Sequence, residues 1–218
     1  MPPNKDTFKF LTDLSKNNNR EWFHANKKAY DAAKENMVEF IQDLILGIST
    51  FDDSVIELQP KKCLFRINRD VRFSKNKNPY KTNFGAILLA GGRKIMHEKA
   101  GYYIHIEPGN SFLVGGAYLP PSEWIGRIRD RIVSDPEKFK KIINGKEFSK
   151  YYKLEGSQLK TGPRGFPKDH PEIELLKYKS FLGINRIPNK MVLSKNFLDH
   201  SVDAFKALKP FNDYLNGK

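Results

Sequence analysis

The stretch GYYIHIEPGNSFLVGGAY, residues 101–118, carries the clearest strand signal in the chain. Every second residue from Tyr102 to Ile106 is apolar, and the residues between them are more polar, which is the two-residue period of a β-strand. The sequence Pro-Gly-Asn in the middle of the stretch supplies a turn. The pattern therefore predicts a β-hairpin with arms at 101–107 and 111–118.

Two segments that precede the hairpin are also predicted to be strands. FGAILLAG, which begins at Phe84, is almost wholly apolar and is typical of a buried strand. Residues 63–73 alternate between apolar and polar, and Arg69 alone breaks the apolar row, which predicts a strand with a bend or bulge there. We expect 63–68 and 84–90 to pair with the hairpin in one mainly antiparallel sheet. Shorter strand candidates lie at 55–58 and 180–187.

The segments before the strands have the three-to-four-residue apolar period of helices. Residues 6–15 predict a short helix that Asp6 caps. Residues 20–48 predict one long amphipathic helix, and Asn18 with Glu21 has the form of a capping box at its start.

Helical patterns return after the hairpin. Ser122 is predicted to cap a helix, and Asp135-Pro136 begins another with a cap followed by proline. Residues 156–171 are rich in glycine and proline and predict a loop. Ser194 is predicted to cap the last helix, which Pro210 should break or kink.

This order of elements predicts a single α+β domain over residues 1–218. We expect a helical part at 6–50, a strand-rich part at 55–118, and a part of helix, loop, strand and helix at 122–217. The long N-terminal helix and the C-terminal helices should pack around a mainly antiparallel sheet. Strands and helices do not alternate strictly, which excludes a doubly wound parallel sheet.

The chain is strongly basic, with 38 Lys and Arg residues against 25 Asp and Glu residues and a formal charge of +13. Such a charge favours an anionic partner, which is either an anionic small molecule or a nucleic acid. Cys63 is the only cysteine, the N-terminal segment has no apolar signal core, and no apolar run is long enough to span a membrane. We therefore expect a cytoplasmic protein with no membrane partner. The sequence leaves the oligomeric state open.

The positive charge is concentrated in one segment. Residues 61–81 contain eight basic residues and the single acid Asp70, a net charge of +7 out of the +13 of the chain. On a strand, Arg66, Asp70 and Arg72 would share one face, where Asp70 could orient the arginines to grip a phosphate or carboxylate in two bonds. The alternative is an Arg–Asp network that only ties strands together.

Other residues extend this predicted anion site. We include as ligand-binding candidates the arginine of the glycine-rich loop and the cations and aromatic residue that follow the strand: Arg69, Lys75, Lys77, Tyr80, Lys81 and Arg164. Tyr80 could stack on a ring of the ligand, or it could pack on the core. Arg164 could face the site, or it could cap backbone carbonyls.

Candidates for chemistry are few. His105 and Glu107 are the best candidates for proton transfer if their face of the sheet lines the site. The five histidines form none of the paired spacings of a metal site, and neither a nucleotide P-loop nor a serine-nucleophile motif is found. The sequence predicts no cofactor and no metal, and it does not establish whether the protein is an enzyme.

Several stretches resemble a known family. NREWF, RDVRFSKNKNPYKT, the hairpin, PSEW and PRGFPKDHPEIELLKYKSF occur in this order over nearly the whole chain. They are similar to a bacterial and fungal family of uncharacterised proteins, domain of unknown function 2461. The resemblance implies one full-length α+β domain, and it implies no activity, cofactor or catalytic residue.

Three functional readings follow. The first is a cleft that binds a phosphate-bearing anion through the cluster at 66–81. The second is a non-catalytic nucleic-acid-binding module with an extended basic surface and exposed aromatic rings. The third is a protein-interaction domain in which the arginines are structural.

Overall fold

A computed structural model describes all residues, 1–218, and contains one five-stranded sheet. All its pairings are antiparallel, and the strand order is β1-β2-β3-β5-β4. The strands are β1 (Phe84–Leu88), β2 (Gly101–Ile106), β3 (Ser111–Ala117), β4 (Lys153–Glu155) and β5 (Phe181–Ile187). The α+β class, the antiparallel sheet and the central hairpin are confirmed, and β4 was not predicted.

Ten α-helices accompany the sheet. They are α1 (Lys5–Lys16), α2 (Arg20–Ala25), α3 (Lys27–Ser49), α4 (Pro60–Cys63), α5 (Ser122–Ser134), α6 (Pro136–Ile143), α7 (Lys146–Tyr151), α8 (Ile173–Leu176), α9 (Asn189–Val192) and α10 (Phe197–Asn216). None of them combines the length and the apolar character that crossing a bilayer requires.

The alternation in the hairpin decides which face of the sheet is buried. Ile104 of β2 lies opposite Leu113 of β3, and both side chains are fully buried. The ring of Tyr102 packs against Phe205 of α10, with centroids 5.2 Å apart. Helices α3 and α10 therefore cover the inner face and complete one hydrophobic core of 45 buried residues.

The residues that alternate with this buried row form the outer face. Three aromatic side chains of this row, Tyr103, His105 and Phe112, are only partly buried. The outer face is thus an aromatic surface that the helices leave accessible. This property of the fold creates the candidate site described below.

The N-terminal helical part differs from the prediction in two ways. The predicted 20–48 helix is divided at Asn26, so that α2 and α3 are separate. Asn19, rather than Asn18, caps α2 by accepting a hydrogen bond from the backbone N–H of Trp22. Asn4, rather than Asp6, caps α1 in the same way.

The C-terminal helix also differs. It begins at Phe197 and continues through Pro210 to Asn216, so the proline does not break it. Proline removes one hydrogen-bond donor from the helix. Packing of the buried residues Leu208 and Phe211 against the core on either side keeps the helix continuous.

The predicted strand at 63–73 is wrong. Pro60 begins a helical turn that ends at Cys63, and the following chain makes only two isolated bridges, Leu64 with Ala86 and Asn68 with Tyr80. The segment at 55–58 is likewise not a strand, because Val55 ends a 3-10 turn. Arg66, Asp70 and Arg72 consequently do not share the face of a regular strand.

Candidate functional site

A cavity of about 480 Å³ lies on the outer face of the sheet. Its floor consists of outward-facing residues of four strands, among them Ile87, Tyr103, Phe112, Val114 and Ile184. Phe65, Met96 and Tyr118 from the surrounding segments form its walls. The size and the mixture of an apolar floor with a few polar groups are typical of sites that bind small organic molecules.

A chain of hydrogen bonds runs from this floor to the end of β2. The Tyr103 hydroxyl lies 3.1 Å from Nδ1 of His105, and Nε2 of His105 lies 3.2 Å from the Glu107 carboxylate. Glu107 lies behind His105 and also accepts hydrogen bonds from Thr82 and Asn110. The His105 ring stacks on Phe112 with centroids 4.4 Å apart, which fixes its orientation.

The surroundings set the protonation of these three groups. Burial alone raises the pKa of Glu107, but the hydrogen bonds from Thr82, Asn110 and His105 together bring it below its ordinary value. Burial lowers the pKa of His105, and the bond to Glu107 offsets only part of that effect. Burial and the charge of Glu107 raise the pKa of Tyr103 to about 12. At neutral pH, Glu107 is charged whereas His105 and Tyr103 are neutral.

These states determine the direction of the hydrogen bonds. A charged carboxylate only accepts, so Nε2 of His105 carries the ring proton and donates it to Glu107. Nδ1 is then an acceptor, and the Tyr103 hydroxyl donates to it. This order polarises the tyrosine oxygen in the cavity floor, where it could exchange a proton with a bound molecule.

Gly85 of β1 provides the space for that hydroxyl. A Cβ atom on Gly85 would lie 2.3 Å from the Tyr103 hydroxyl oxygen. A side chain at this position would therefore displace the hydroxyl from His105.

The edge of the cavity next to β1 is electropositive. Lys81 lines the cavity and is partly buried, and its Nζ lies 5.3 Å from the centre of the Phe65 ring. The Arg93 guanidinium lies at the same distance from that ring. Burial, followed by the charges of Arg66 and Arg93, lowers the pKa of Lys81. None of these three cations forms an ion pair with a carboxylate, so their positive charges add at this edge of the cavity.

The geometry can be compared with known proteins. The family model described as "Conserved hypothetical protein (DUF2461)" matches residues 6–214. The chain belongs to this family. Searches of the curated proteins and of the solved structures found no match. Because the description of the DUF2461 family names no activity, the candidate site in this member rests on its geometry.

The structure brings together part of the predicted site of this DUF2461 member. His105 and Lys81 line the same cavity, Glu107 supports His105, and Arg66 is close enough to act on the charge of Lys81. These residues come from separate parts of the chain, which meet because β1 and β2 are neighbours.

Other predicted residues lie elsewhere. Asp70 binds the guanidinium of Arg72 in a two-pronged pair at 3.0 and 2.6 Å, and it makes no hydrogen bond to Arg66. Arg69 donates to the carbonyl of Asn78 and to the Ser74 hydroxyl. The hypothesis that Asp70 orients several arginines is therefore wrong in its geometry, since Asp70 holds Arg72 alone.

Tyr80 is placed in the core rather than in a site. Its ring stacks on Phe23 with centroids 4.0 Å apart, and the residue is 5% exposed. Asn18 clamps its backbone by accepting from the Tyr80 N–H and donating to the Tyr80 carbonyl. The reading in which Tyr80 packs on the core is the one that the structure supports.

The remaining predicted cations do not line the cavity. Arg164 is exposed in the long loop between β4 and α8. Lys75 is exposed, and Lys77 folds back to the carbonyl of Val71 at 3.1 Å.

Sequence reasoning missed much of the cavity. Tyr103 and Phe112 lie on the outward row of the hairpin, and the alternation that predicts the hairpin also identifies them. Arg93, Met96 and Lys99 follow Gly91-Gly92, where both glycines adopt a positive φ that turns the chain back over the sheet. No local pattern signals that this turn faces the cavity.

Two other features carry less chemistry. A cavity of about 430 Å³ lies between α1 and α3, and two of its three charged residues, Lys9 and Asp13, form an ion pair at 2.5 Å, which leaves Asp6 as its remaining charge. Cys63 is buried, and burial raises the pKa of its thiol to about 11, which keeps it protonated and unreactive. No three His, Cys, Asp or Glu side chains lie close enough to share a metal ion.

Proposed function

We propose that this protein binds a small phosphate-bearing organic anion in the cavity on the outer face of its sheet. The observation that carries the proposal is Lys81, a partly buried cation on the cavity wall without a carboxylate partner. Removing a lysine from water is costly unless an anion compensates for it, and Arg66 and Arg93 add to that cost. A bound phosphate would relieve all three.

The lining of the cavity indicates where each part of such a ligand would lie. The anionic group would lie at the Lys81 edge, where ammonium and guanidinium groups donate hydrogen bonds to oxygen. An apolar or aromatic part would lie on Phe112, Val114 and Ile184, which present a partly buried apolar floor. Tyr103 lies between these two regions and would donate to, or accept from, a polar atom in the middle of the ligand.

Calorimetric titration with phenyl phosphate tests this proposal, since that molecule joins an aromatic ring to a phosphate. We expect it to bind more tightly than inorganic phosphate, because only the ester buries a ring. We expect Lys81→Met to weaken phenyl phosphate binding roughly 10- to 100-fold, the usual effect of losing a hydrogen-bonded charge.

Lys75→Met is the matched control. It makes the same change of charge in the same segment, but Lys75 is exposed and does not line the cavity. We expect less than a twofold effect. Equal losses in the two variants, or no binding by the parent protein, would contradict the proposal.

A further inference from the structure

The loop at residues 69–78, here called the basic loop, presents one aromatic ring to solvent. Phe73 is 96% exposed, which is the highest exposure among the large apolar residues of the chain. Leaving a phenyl ring in water forgoes the free energy that its burial would contribute. An isolated exposed ring needs no explanation by itself, so the setting of Phe73 decides its significance.

The basic loop is held in shape by its own polar groups. Arg69 donates to the Asn78 carbonyl at 3.0 Å and to the Ser74 hydroxyl at 3.3 Å, which joins the two sides of the loop. Lys77 donates to the Val71 carbonyl at 3.1 Å. The bridge between Asn68 and Tyr80 closes the base. Phe73 is therefore presented by a cross-linked loop, so that binding through it orders little additional chain.

One cation lies beside this ring, and two more follow it in the chain. The Arg72 guanidinium lies 5.9 Å from the centre of the Phe73 ring, and Lys75 and Lys77 follow within the same loop. Asp70 is the one acidic residue of the loop, and its carboxylate is paired with the Arg72 guanidinium. The loop thus offers positive charge and one free aromatic surface together.

A polar hollow of about 220 Å³ adjoins the basic loop. Its lining is rich in side-chain amides and includes Asn18, Arg69, Asn76, Asn78 and Asn83. Amide groups both donate and accept hydrogen bonds, as the edges of nucleobases do. Arg69 connects the hollow to Phe73, because it lines the hollow and binds Ser74, the neighbour of Phe73.

We propose that the basic loop binds single-stranded nucleic acid. One unpaired base stacks on Phe73, the arginine and lysine side chains contact the flanking phosphates, and the amide-lined hollow receives the edge of an adjacent base. The hollow shares Lys81 and Asn83 with the cavity over the sheet, but Phe73 does not line that cavity, so substitutions of Phe73 test this proposal separately.

A lipid surface fits these observations less well. Phe73 is the only large exposed apolar residue of the basic loop. A single ring suffices to stack one base, whereas insertion into a membrane interface draws on a larger apolar surface. The amide-lined hollow also has no counterpart in a lipid headgroup.

Fluorescence anisotropy with a labelled oligothymidine of about 12 nucleotides tests the proposal at about 50 mM salt. We expect Phe73→Ala to weaken binding roughly 5- to 100-fold, and Phe73→Trp to retain or strengthen it, because stacking needs an aromatic ring. Phe73→Leu should weaken binding nearly as much as alanine does. The same substitutions should leave binding to the corresponding duplex, whose bases are already stacked, almost unchanged.

Leu46→Ala is the control, since Leu46 is also apolar and exposed but lies on α3. It should bind the oligonucleotide like the parent protein. Full affinity of Phe73→Leu would overturn the stacking proposal, as would failure of the parent protein to bind the oligonucleotide. Vesicles of phosphatidylcholine with about one third phosphatidylserine provide a further comparison. Loss of vesicle binding but not of oligonucleotide binding in Phe73→Ala would assign the loop to membranes instead.

Discussion

His105 is the residue on which the chemistry of the candidate site depends. It is oriented on one side by Phe112 and bonded at its two nitrogens to Tyr103 and Glu107. The alternation in the hairpin was enough to identify His105 as a candidate for proton transfer. Its neutral state was not predictable, because that state results from burial by residues that are distant in sequence.

This neutral state has a consequence for stability. Burial lowers the pKa of His105 in the folded protein, so at a pH somewhat below 6.5 the unfolded chain binds a proton that the folded protein does not. The free energy of unfolding should therefore fall as the pH decreases through this range. We expect His105→Gln to reduce that dependence by up to about 1.4 kcal/mol per pH unit, measured by urea unfolding at several pH values.

His24→Gln serves as the comparison, because His24 is exposed on α2. It should keep the pH dependence of the parent protein. His200 is also partly buried, and burial lowers its pKa, so part of the dependence should remain in the His105 variant. A His105 variant with the full dependence of the parent would contradict the neutral assignment.

Among the secondary-structure elements, the sheet was predictable from the sequence, whereas the structure of the charge-rich residues 61–81 was not. The strand at 84–88 is a short, almost wholly apolar run and is buried throughout, whereas the first arm of the hairpin alternates and buries the row that its period identifies. Residues 63–73 have the same period without a ladder. There the backbone pairs irregularly with the chain that follows: the Arg69 N–H donates to the Pro79 carbonyl, and the Lys81 N–H donates to the Ile67 carbonyl. The Asn18 side chain in turn holds the backbone of Tyr80.

Tyr80 therefore attaches residues 61–81 to the N-terminal helices. Tyr80→Ala removes a ring that stacks on Phe23, and we expect it to lower the free energy of unfolding by about 3–5 kcal/mol. The Tyr80 hydroxyl forms no hydrogen bond, so Tyr80→Phe should have a stability close to that of the parent. Denaturant unfolding of the two variants measures the difference.

A second measurement shows where the destabilisation acts. Hydrogen exchange should accelerate in residues 66–82 of Tyr80→Ala more than in the hairpin. Similar stability of the alanine and phenylalanine variants would mean that the ring is not an anchor.

At the scale of the whole molecule, the helices pack on one face of the sheet and leave an aromatic face for the site. The sequence predicts both layers, but it does not predict which neighbouring segments border the open face. Part of the net charge of +13 lies beside the cavity, where Arg66 and Arg93 act on the charge of Lys81, and part lies in the basic loop, where Arg72 is next to Phe73. The predicted single cluster is therefore divided between the edge of the cavity and the basic loop, and Lys81 borders both the cavity and the hollow beside the loop.

The interpretation in which the arginines are structural applies to some of these basic residues. Arg69 and Arg72 make hydrogen bonds within the basic loop, which supports the view that they shape it. The side chain of Arg66 forms neither a hydrogen bond nor an ion pair within the protein, and its charge lowers the pKa of Lys81. Arginines of one segment thus differ in what they contact. Composition alone therefore could not distinguish arginines that bind an anion from arginines that only hold the structure together.

The most direct test of the central claim is to map the binding of phenyl phosphate by ¹⁵N–¹H nuclear magnetic resonance. We expect the largest chemical-shift changes at Lys81 and in the outward rows of β1, β2, β3 and β5, including Tyr103, His105 and Val114. We also expect Lys81→Met to abolish these changes at equal ligand concentration. Changes confined to residues 69–78, or none at all on the outer face of the sheet, would contradict the assignment of that face as the ligand site.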